Sequence, residues 1–595
     1  MSSDPSSAPS AADLQATFCA TLVDEWVRAG VRDAVVSPGS RSTPLALAIA
    51  ADSRIRLTVV LDERSGSFRA LGLARATGRP SVLLCTSGTA AVEYHAAVVE
   101  ADLDRVPLIV CTADRPPELH GIGAPQTVNQ QGLFGISVRW FAQLGVPDAA
   151  NQATWRSFAA RTVAEAVGSP RGPGPVHVNL PFREPLIGVP MPLPDGRPGG
   201  EPWHRVIAGG SVSLASGRLE AVRSLVHTRR GVIVAGAGAV RVGDREGAEV
   251  IHRLASALGW PVLADPRSGL RTKAPNLVAA ADSILRSPRT AEALRPEVVL
   301  RLGAPWASKV LGQWLESCDS DDVLVDPFGS WLDPRRTARL VVTADPVEVA
   351  RGLLDLRVEA AQPSWTSRWR LVAGAADAVI ADALDGPPRP ADADDALSEP
   401  WIARSLLRLL PHDSRLVVAS SMPIRDIEWF APPMLDVEVH ANRGANGIDG
   451  VVSTVLGVGG AGDGRSAVGL LGDLAFLHDA GALASAAGRP ATLVVVDNGG
   501  GGIFEFLPQA TSLTRARFEL LFGTPQGVDV AAVARGYGVG VNEVGSEAEF
   551  IDALSVVGTP GTHVIVVRTD RQANVGVHDR LNAAVAEAVE AALPR

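Results

Sequence analysis

Lysine is almost missing from this chain: of 55 basic residues only Lys273 and Lys309 are lysines, and all the others are arginine. A lysine retained against that background is a candidate for a role of its own. Basic residues are also outnumbered by 65 acidic ones, giving a formal net charge of −10, which argues against a nucleic-acid or anionic-membrane partner. Cysteine is scarce as well. Cys19, Cys85, Cys111 and Cys318 lie far apart with no C-x-x-C or Cys/His spacing, so neither a zinc site nor a disulfide framework is expected, and a reducing cytoplasm fits. No uninterrupted apolar stretch reaches the roughly 18 to 20 residues that cross a bilayer. The opening MSSDPSSAPSAAD has neither the positive region nor the apolar run of a signal peptide, so residues 1–12 read as a disordered tail. G-x-S-x-G, H-E-x-x-H and G-x-x-x-x-G-K-[ST] are all absent, which leaves hydrolase, zinc-protease and P-loop chemistries without their atoms.

What is present is a long chain of alternating elements. With 595 residues, 46% of them apolar and 20% charged, it exceeds one core and implies several folded domains. Short β-branched runs (DAVVS, LTVVLD, SVLLCTS, PLIVCTA) alternate with alanine-rich segments of helical length, the pattern of a parallel α/β sheet. Pro, Gly and Asp crowd residues 191–202 and 385–395, marking linkers. The expected organisation is α/β, with three Rossmann-like domains over 13–190, 203–384 and 396–595. The outer two echo one another. SVLLCTSGTA and VGLLGDLAF both end strands, and Gly88 to Asp114 spans 26 positions, as does Gly472 to Asn498. Two related domains facing each other would gather strand C-termini, where such sheets bind ligands, around a shared crevice.

The clearest chemistry lies in the third domain. Asp473 and Asn498 offer hard oxygen ligands, and the glycine run from Gly499 to Gly502 lets a carbonyl, that of Gly500, complete a Mg²⁺ or Ca²⁺ sphere shared with phosphates. Gly472 and Leu474 flank the aspartate. The competing reading of Asp473 is an ordinary helix cap. In the first domain Glu63 stands where an apolar strand meets a helix, with Ser87 and Gly88 ending the next strand. A shielded carboxylate there suits a hydrogen bond to a cofactor's pyrimidine ring; an ordinary N-terminal helix carboxylate is the alternative. Together the two stretches resemble the halves of a thiamine diphosphate site.

Seven further motifs narrow the resemblance: SPGSRSTPLALA from Ser37, LDERSGSFRALGLA from Leu61, TSGTA from Thr86, TADRPPEL from Thr112, GAPQTVNQ from Gly123, NRGANGIDG from Asn442 and TDRQANVGVH from Thr569. Jointly they resemble the thiamine diphosphate-dependent 2-succinyl-5-enolpyruvyl-6-hydroxy-3-cyclohexene-1-carboxylate (SEPHCHC) synthase family of menaquinone biosynthesis, over nearly the whole chain and least between about residues 200 and 400. The resemblance implies decarboxylation of 2-oxoglutarate on thiamine diphosphate, and 1,4-addition of the succinic semialdehyde carbanion equivalent to isochorismate. It implies Mg²⁺, with Mn²⁺ or another divalent ion able to substitute. It also implies a homodimer or dimer of dimers, with Glu63 of one subunit facing Asp473 and Asn498 of its neighbour.

On the substrate side, Ser40, Arg41, Arg115 and Gln126 resemble the family's isochorismate contacts, and Ser421, Arg425 and Arg443 its contacts to succinyl or isochorismate carboxylates. Both substrates are multiply anionic and the chain is acidic, so local arginine forks suit them; surface salt bridges are the alternative. Ile448, Ile503 and Phe504 resemble the apolar surround of the thiazolium ring, and would equally serve as core. Lys309, in GAPWASKVLGQW, resembles a central-domain segment that approaches the site, but Val310 follows it where some members carry a basic residue. VIVAGAGAV at 232–240 lacks the full G-x-G-x-x-G fingerprint and reads as a scaffold turn without FAD or NAD. Another thiamine diphosphate carboligase, such as an acetohydroxyacid synthase, or a silent binding protein on the same scaffold, are the rival readings.

Overall fold

The computed structural model describes residues 10–205, 214–241, 243–386, 397–434 and 436–593; most of the expected tail and of the second linker fall outside these. Three parallel six-stranded sheets organise the chain. The first holds β1 (Asp33–Val36), β2 (Arg56–Val59), β3 (Ser81–Cys85), β4 (Leu108–Asp114), β5 (Trp140–Ala142) and β6 (Pro175–Pro181). The second holds β7 (Gly231–Ala235), β8 (Val262–Ala264), β9 (Leu277–Val278), β10 (Val298–Leu302), β11 (Asp321–Val325) and β12 (Ala338–Val342). The third holds β13 (Arg415–Val418), β14 (Glu438–His440), β15 (Ala467–Gly472), β16 (Ala491–Asp497), β17 (Gly540–Val544) and β18 (Thr562–Arg568). The central strands β3, β4 and β6 are buried along their whole length, as parallel strands covered on both faces must be.

Strand order makes the internal echo concrete. The first sheet runs β2-β1-β3-β4-β6-β5 and the third β14-β13-β15-β16-β18-β17, the same permutation, whereas the second runs β12-β11-β10-β7-β8-β9. In the outer sheets the order of strand addition reverses beside the first strand, so the loops after β1 and β3, and after β13 and β15, flank the crevice where open α/β sheets take ligands. In the second sheet the corresponding loops close on each other. A Cβ on Gly236 would lie 1.7 Å from the Ala304 carbonyl oxygen, one on Gly303 would lie 2.4 Å from that of Ala237, and Ala304 N–H donates to Ala237 at 2.8 Å. Backbone fills that crevice.

Packing crosses the expected division of the chain. Of the described residues, those within 1–209, 442–464 and 478–490 form one compact unit, and those within 210–441, 465–477 and 491–595 form the other. The third domain therefore lends the first unit the helix Val451–Gly459, which lies along the helix Glu63–Thr77. Glycines set that approach: a Cβ on Gly72 would come within 2.3 Å of the Thr454 carbonyl oxygen, and one on Gly457 within 2.3 Å of that of Arg69. The stretch 191–202 is pinned along the first unit, Met191 N–H donating to Thr17 Oγ1 at 2.9 Å and Arg156 Nε to the Pro194 carbonyl at 2.8 Å.

Candidate active site

In the first unit the expected residues gather at the strand ends. Asp62 caps the helix Glu63–Thr77, accepting from Arg64 N at 3.1 Å and Ser65 N at 3.4 Å, which fixes Glu63 as the first helical residue. Its carboxyl is half-buried. Burial raises its pKa, with the negative charges of Asp62 and Glu93 adding to the effect and its own backbone hydrogen bond opposing it. The loop after β1 comes against the turn after β3, since a Cβ on Gly39 would fall 2.3 Å from that of Thr86. Ser87 is buried and donates through Oγ to the Gln126 carbonyl at 3.0 Å, while Gln126 Nε2 returns a bond to the Ser87 carbonyl at 2.9 Å. Gly88, at φ +89°, donates its N–H to Gln130 Oε1 at 3.0 Å.

Arginines stand beside this cluster. Arg41 is 5% exposed, with Nη1 donating to the Phe182 carbonyl at 3.0 Å and Nη2 to Glu184 at 3.0 Å, while Nε finds no partner among the described residues. Burial lowers its pKa, and the neighbouring charge of Arg115 acts in the same direction. Arg115 donates through Nη2 to the Pro125 carbonyl at 3.3 Å, next to Gln126. Ser40 is exposed. Arg443 and Ile448, expected with the third-domain set, fall in this first unit; Ile448 is 41% exposed. Beyond Arg443 the chain is anchored by Glu100, which accepts from Gly444 N at 2.9 Å and Ala445 N at 2.7 Å.

The second unit holds the oxygen-ligand set. Gly472 ends β15, and Asp473, 5% exposed, opens a helix of only six residues, Asp473–His478. Its Oδ1 accepts from Leu474 N at 2.9 Å, so the capping role coexists with any other. Burial pushes its pKa up to about 6. Asn498 follows β16, its Nδ2 donating to Glu399 at 2.8 Å and its Oδ1 buried with no partner among the described residues. Gly500 stands at φ +136° with its absent Cβ 2.0 Å from the Gly523 carbonyl oxygen, a place no other residue could take. No group of three or more His, Cys, Asp or Glu gathers among the described residues. A divalent cation would instead rest on one carboxylate, one amide oxygen and one carbonyl, a hard-oxygen set suited to Mg²⁺. The unpartnered Asn498 Oδ1 is the atom that fits it.

The same unit holds the other expected residues. Ser421 precedes the helix Met422–Phe430, and Arg425 folds back to donate to the carbonyls of Ser420 at 3.1 Å and Ser421 at 2.7 Å. Burial lowers the pKa of Arg425. Lys309 is exposed at the start of the helix Lys309–Ser317, whose cap Ser308 accepts from Leu311 N at 2.9 Å and donates to Asp282 at 2.5 Å. Ile503 and Phe504 are partly buried, Ile503 against the main core and Phe504 tilted on Phe522 at 5.4 Å.

Sequence reasoning did not single out two residues that stand beside this set. Glu399 is 4% exposed, and burial together with the charge of Asp426 pushes its pKa to about 7. Arg571 of the TDRQ motif pairs with Glu519 at 2.5 Å and lies 3.1 Å from where a Gly500 Cβ would be, tying the segment 515–523 over the glycine loop. Only the bare motif signalled Arg571. Nothing in the sequence pointed to Glu399.

Comparison with known proteins agrees in kind. Residues 17–133 match the model described as thiamine pyrophosphate enzyme, N-terminal TPP binding domain; 201–418 match the middle domain of thiamine pyrophosphate enzymes; and 440–567 match the C-terminal TPP binding domain. The chain is 43% identical to the SEPHCHC synthase of Myxococcus xanthus, with 97% of this chain and 98% of the relative covered. It is 44% identical to that of Thermobifida fusca, over 96% and 98%. It is 40% identical to that of Bacillus velezensis, again over 96% and 98%.

Proposed function

This chain belongs to the family of thiamine diphosphate-dependent SEPHCHC synthases, and from that premise we propose how its residues divide the work. The reaction joins 2-oxoglutarate and isochorismate into SEPHCHC with release of CO2. When bound, thiamine diphosphate supplies the nucleophilic carbon at which 2-oxoglutarate is decarboxylated and from which the succinyl unit is passed on. Glu63 hydrogen-bonds the pyrimidine ring, and the burial that raises its pKa keeps that contact shielded from water. Ser87 and Gly88 hold the turn beside it. Asp473, Asn498 and the Gly500 carbonyl would hold Mg²⁺, or Mn²⁺ in its place, and Gly472 and Leu474 would border the cofactor. Ile448, Ile503 and Phe504 keep water from the thiazolium side.

Ser40, Arg41, Arg115 and Gln126 receive isochorismate, and Ser421, Arg425 and Arg443 receive the carboxylates of the succinyl unit or of isochorismate. Lys309, lacking a basic neighbour at Val310, contributes charge from the central domain. Active sites form between two copies of the chain, in a homodimer or a dimer of dimers, acting in the cytoplasm; no helix is long and apolar enough to cross a membrane among the described residues. The observation that carries this reading is the placing of buried Arg41 and of Asp473 and Asn498 at the strand ends of two sheets with one strand order. The test is direct. Purified protein with thiamine diphosphate, Mg²⁺, 2-oxoglutarate and isochorismate should consume isochorismate and release CO2; isochorismate left intact while pyruvate is accepted as donor would sink the assignment.

A further inference from the structure

An asparagine amide can bind a cation only through its oxygen, and its two ends are nearly the same shape, so a site that uses one needs something to choose between them. At Asn498 that choice is visible. Nδ2 donates to Glu399 Oε1 at 2.8 Å, and Oδ1 is left buried and unpartnered. Rotating the amide by half a turn would set its oxygen against the carboxyl oxygens of Glu399 and turn two N–H donors toward the place of the cation. Glu399 is itself enclosed: it is 4% exposed, stands first in the helix Glu399–Leu409 that Ser398 caps, and its Oε1 also accepts from Thr569 Oγ1 at 3.5 Å. Gly502 leaves the amide its place, because a Cβ there would lie 2.7 Å from Nδ2.

We propose that Glu399 is a positioning residue for the metal: it accepts the Asn498 amide N–H and thereby holds Oδ1 toward the divalent cation. The inference rests on the reading of Asn498 as a ligand. Outer partners that orient a ligand typically alter metal affinity by roughly 10- to 100-fold when removed.

The test is a titration of Mn²⁺ into the full-length protein with saturating thiamine diphosphate, free Mn²⁺ being followed by electron paramagnetic resonance, with thermal melts of the metal-free proteins alongside. Glu399→Leu should weaken Mn²⁺ binding by about 10- to 100-fold. Glu399→Gln, whose carbonyl can still accept from Nδ2, should recover most of that loss. Asn498→Ala should lose at least as much as Glu399→Leu, and adding Glu399→Leu to Asn498→Ala should bring no further weakening. If the leucine variant does not melt cooperatively, Glu399→Met, which is unbranched, fills much the same volume and offers no oxygen acceptor, carries the same expectation. Wild-type Mn²⁺ affinity in Glu399→Leu with a large loss in Asn498→Ala overturns the role of Glu399 and leaves Asn498 a ligand. Wild-type affinity in Asn498→Ala overturns the ligand reading itself. A glutamine variant as weak as the leucine variant, with a normal melt, overturns orientation by hydrogen bond.

Discussion

Glu428, three residues after Arg425 in the helix Met422–Phe430, is 1% exposed; one carboxyl oxygen accepts from Ala307 N at 3.0 Å and the other has no partner among the described residues. Burial, with the charges of Asp265 and Asp282 adding, pushes its pKa from the ordinary 4.5 up to about 8. Because the folded chain holds this proton more tightly than the unfolded one, the contribution to stability is fully present below pH 4.5 and drains away as pH rises to about 8. The slope is about 1.4 kcal/mol per pH unit inside that window, a few kcal/mol in all. Glu428→Gln removes the titration. Melts at pH 5, 7 and 9 should show the variant gaining on the wild type at each step upward, and parallel melting curves would refute the account. At this scale the sequence spoke unevenly. Asp473, Asn498 and Glu63 could be singled out because each stands beside a glycine cluster or a strand end. Glu399 could not, because its partner lies 99 positions away and only folding brings the two together.

Between elements, small residues decide what can approach. Both Gly72 and Gly457 look like ordinary weak points of a helix in sequence, and the alanine-rich run around the first and the small residues around the second announced helices without saying what they would meet. The structure puts backbone against backbone there: a Cβ on Gly457 would be 3.0 Å from the Gly72 Cα as well as 2.3 Å from the Arg69 carbonyl oxygen. Gly457→Val should force the two helices apart and cost about 1–3 kcal/mol, as overpacking a tight contact does. Urea unfolding would register this as a lower midpoint at unchanged slope. The loop that carries Gly500 is constrained in a second way, by the Gly523 carbonyl that accepts from Gly501 N at 2.7 Å. Gly500→Ala cannot keep both the φ of +136° and the 2.0 Å approach. The expected outcome is a chain that melts near the wild-type temperature yet binds thiamine diphosphate with Mg²⁺ much more weakly, measured by titration calorimetry; equal binding would exclude the loop from the site. Strand periodicity made the sheets legible, and the 26-position spacing hinted at the echo. That the helix Val451–Gly459 leaves its own sheet's unit was not legible, since periodicity reports a buried face and never its partner.

Across the whole molecule, the residues assigned to one reaction are split: Glu63, Arg41 and Arg115 in one compact unit, Asp473, Asn498 and Arg425 in the other. The proposed assembly completes each site from two copies, Glu63 from one chain and the metal ligands from the next. That arrangement makes a prediction which no single-chain site can satisfy. Glu63→Gln and Asn498→Ala should each be nearly inactive as pure proteins, through loss of the pyrimidine contact and of a metal ligand respectively. In a two-fold dimer that contains one chain of each kind, one site pairs both defects and the other pairs two intact halves. Dissociating and reassembling the two variants in equal amounts should therefore return about a quarter of the wild-type rate of isochorismate consumption, half the dimers being mixed and half of their sites whole. If each site were built within one chain, every site in the mixture would carry one defect, and reassembly would restore nothing. The stoichiometry of the recovered activity, followed as the ratio of the two variants is varied, separates these cases without requiring a ligand-bound structure.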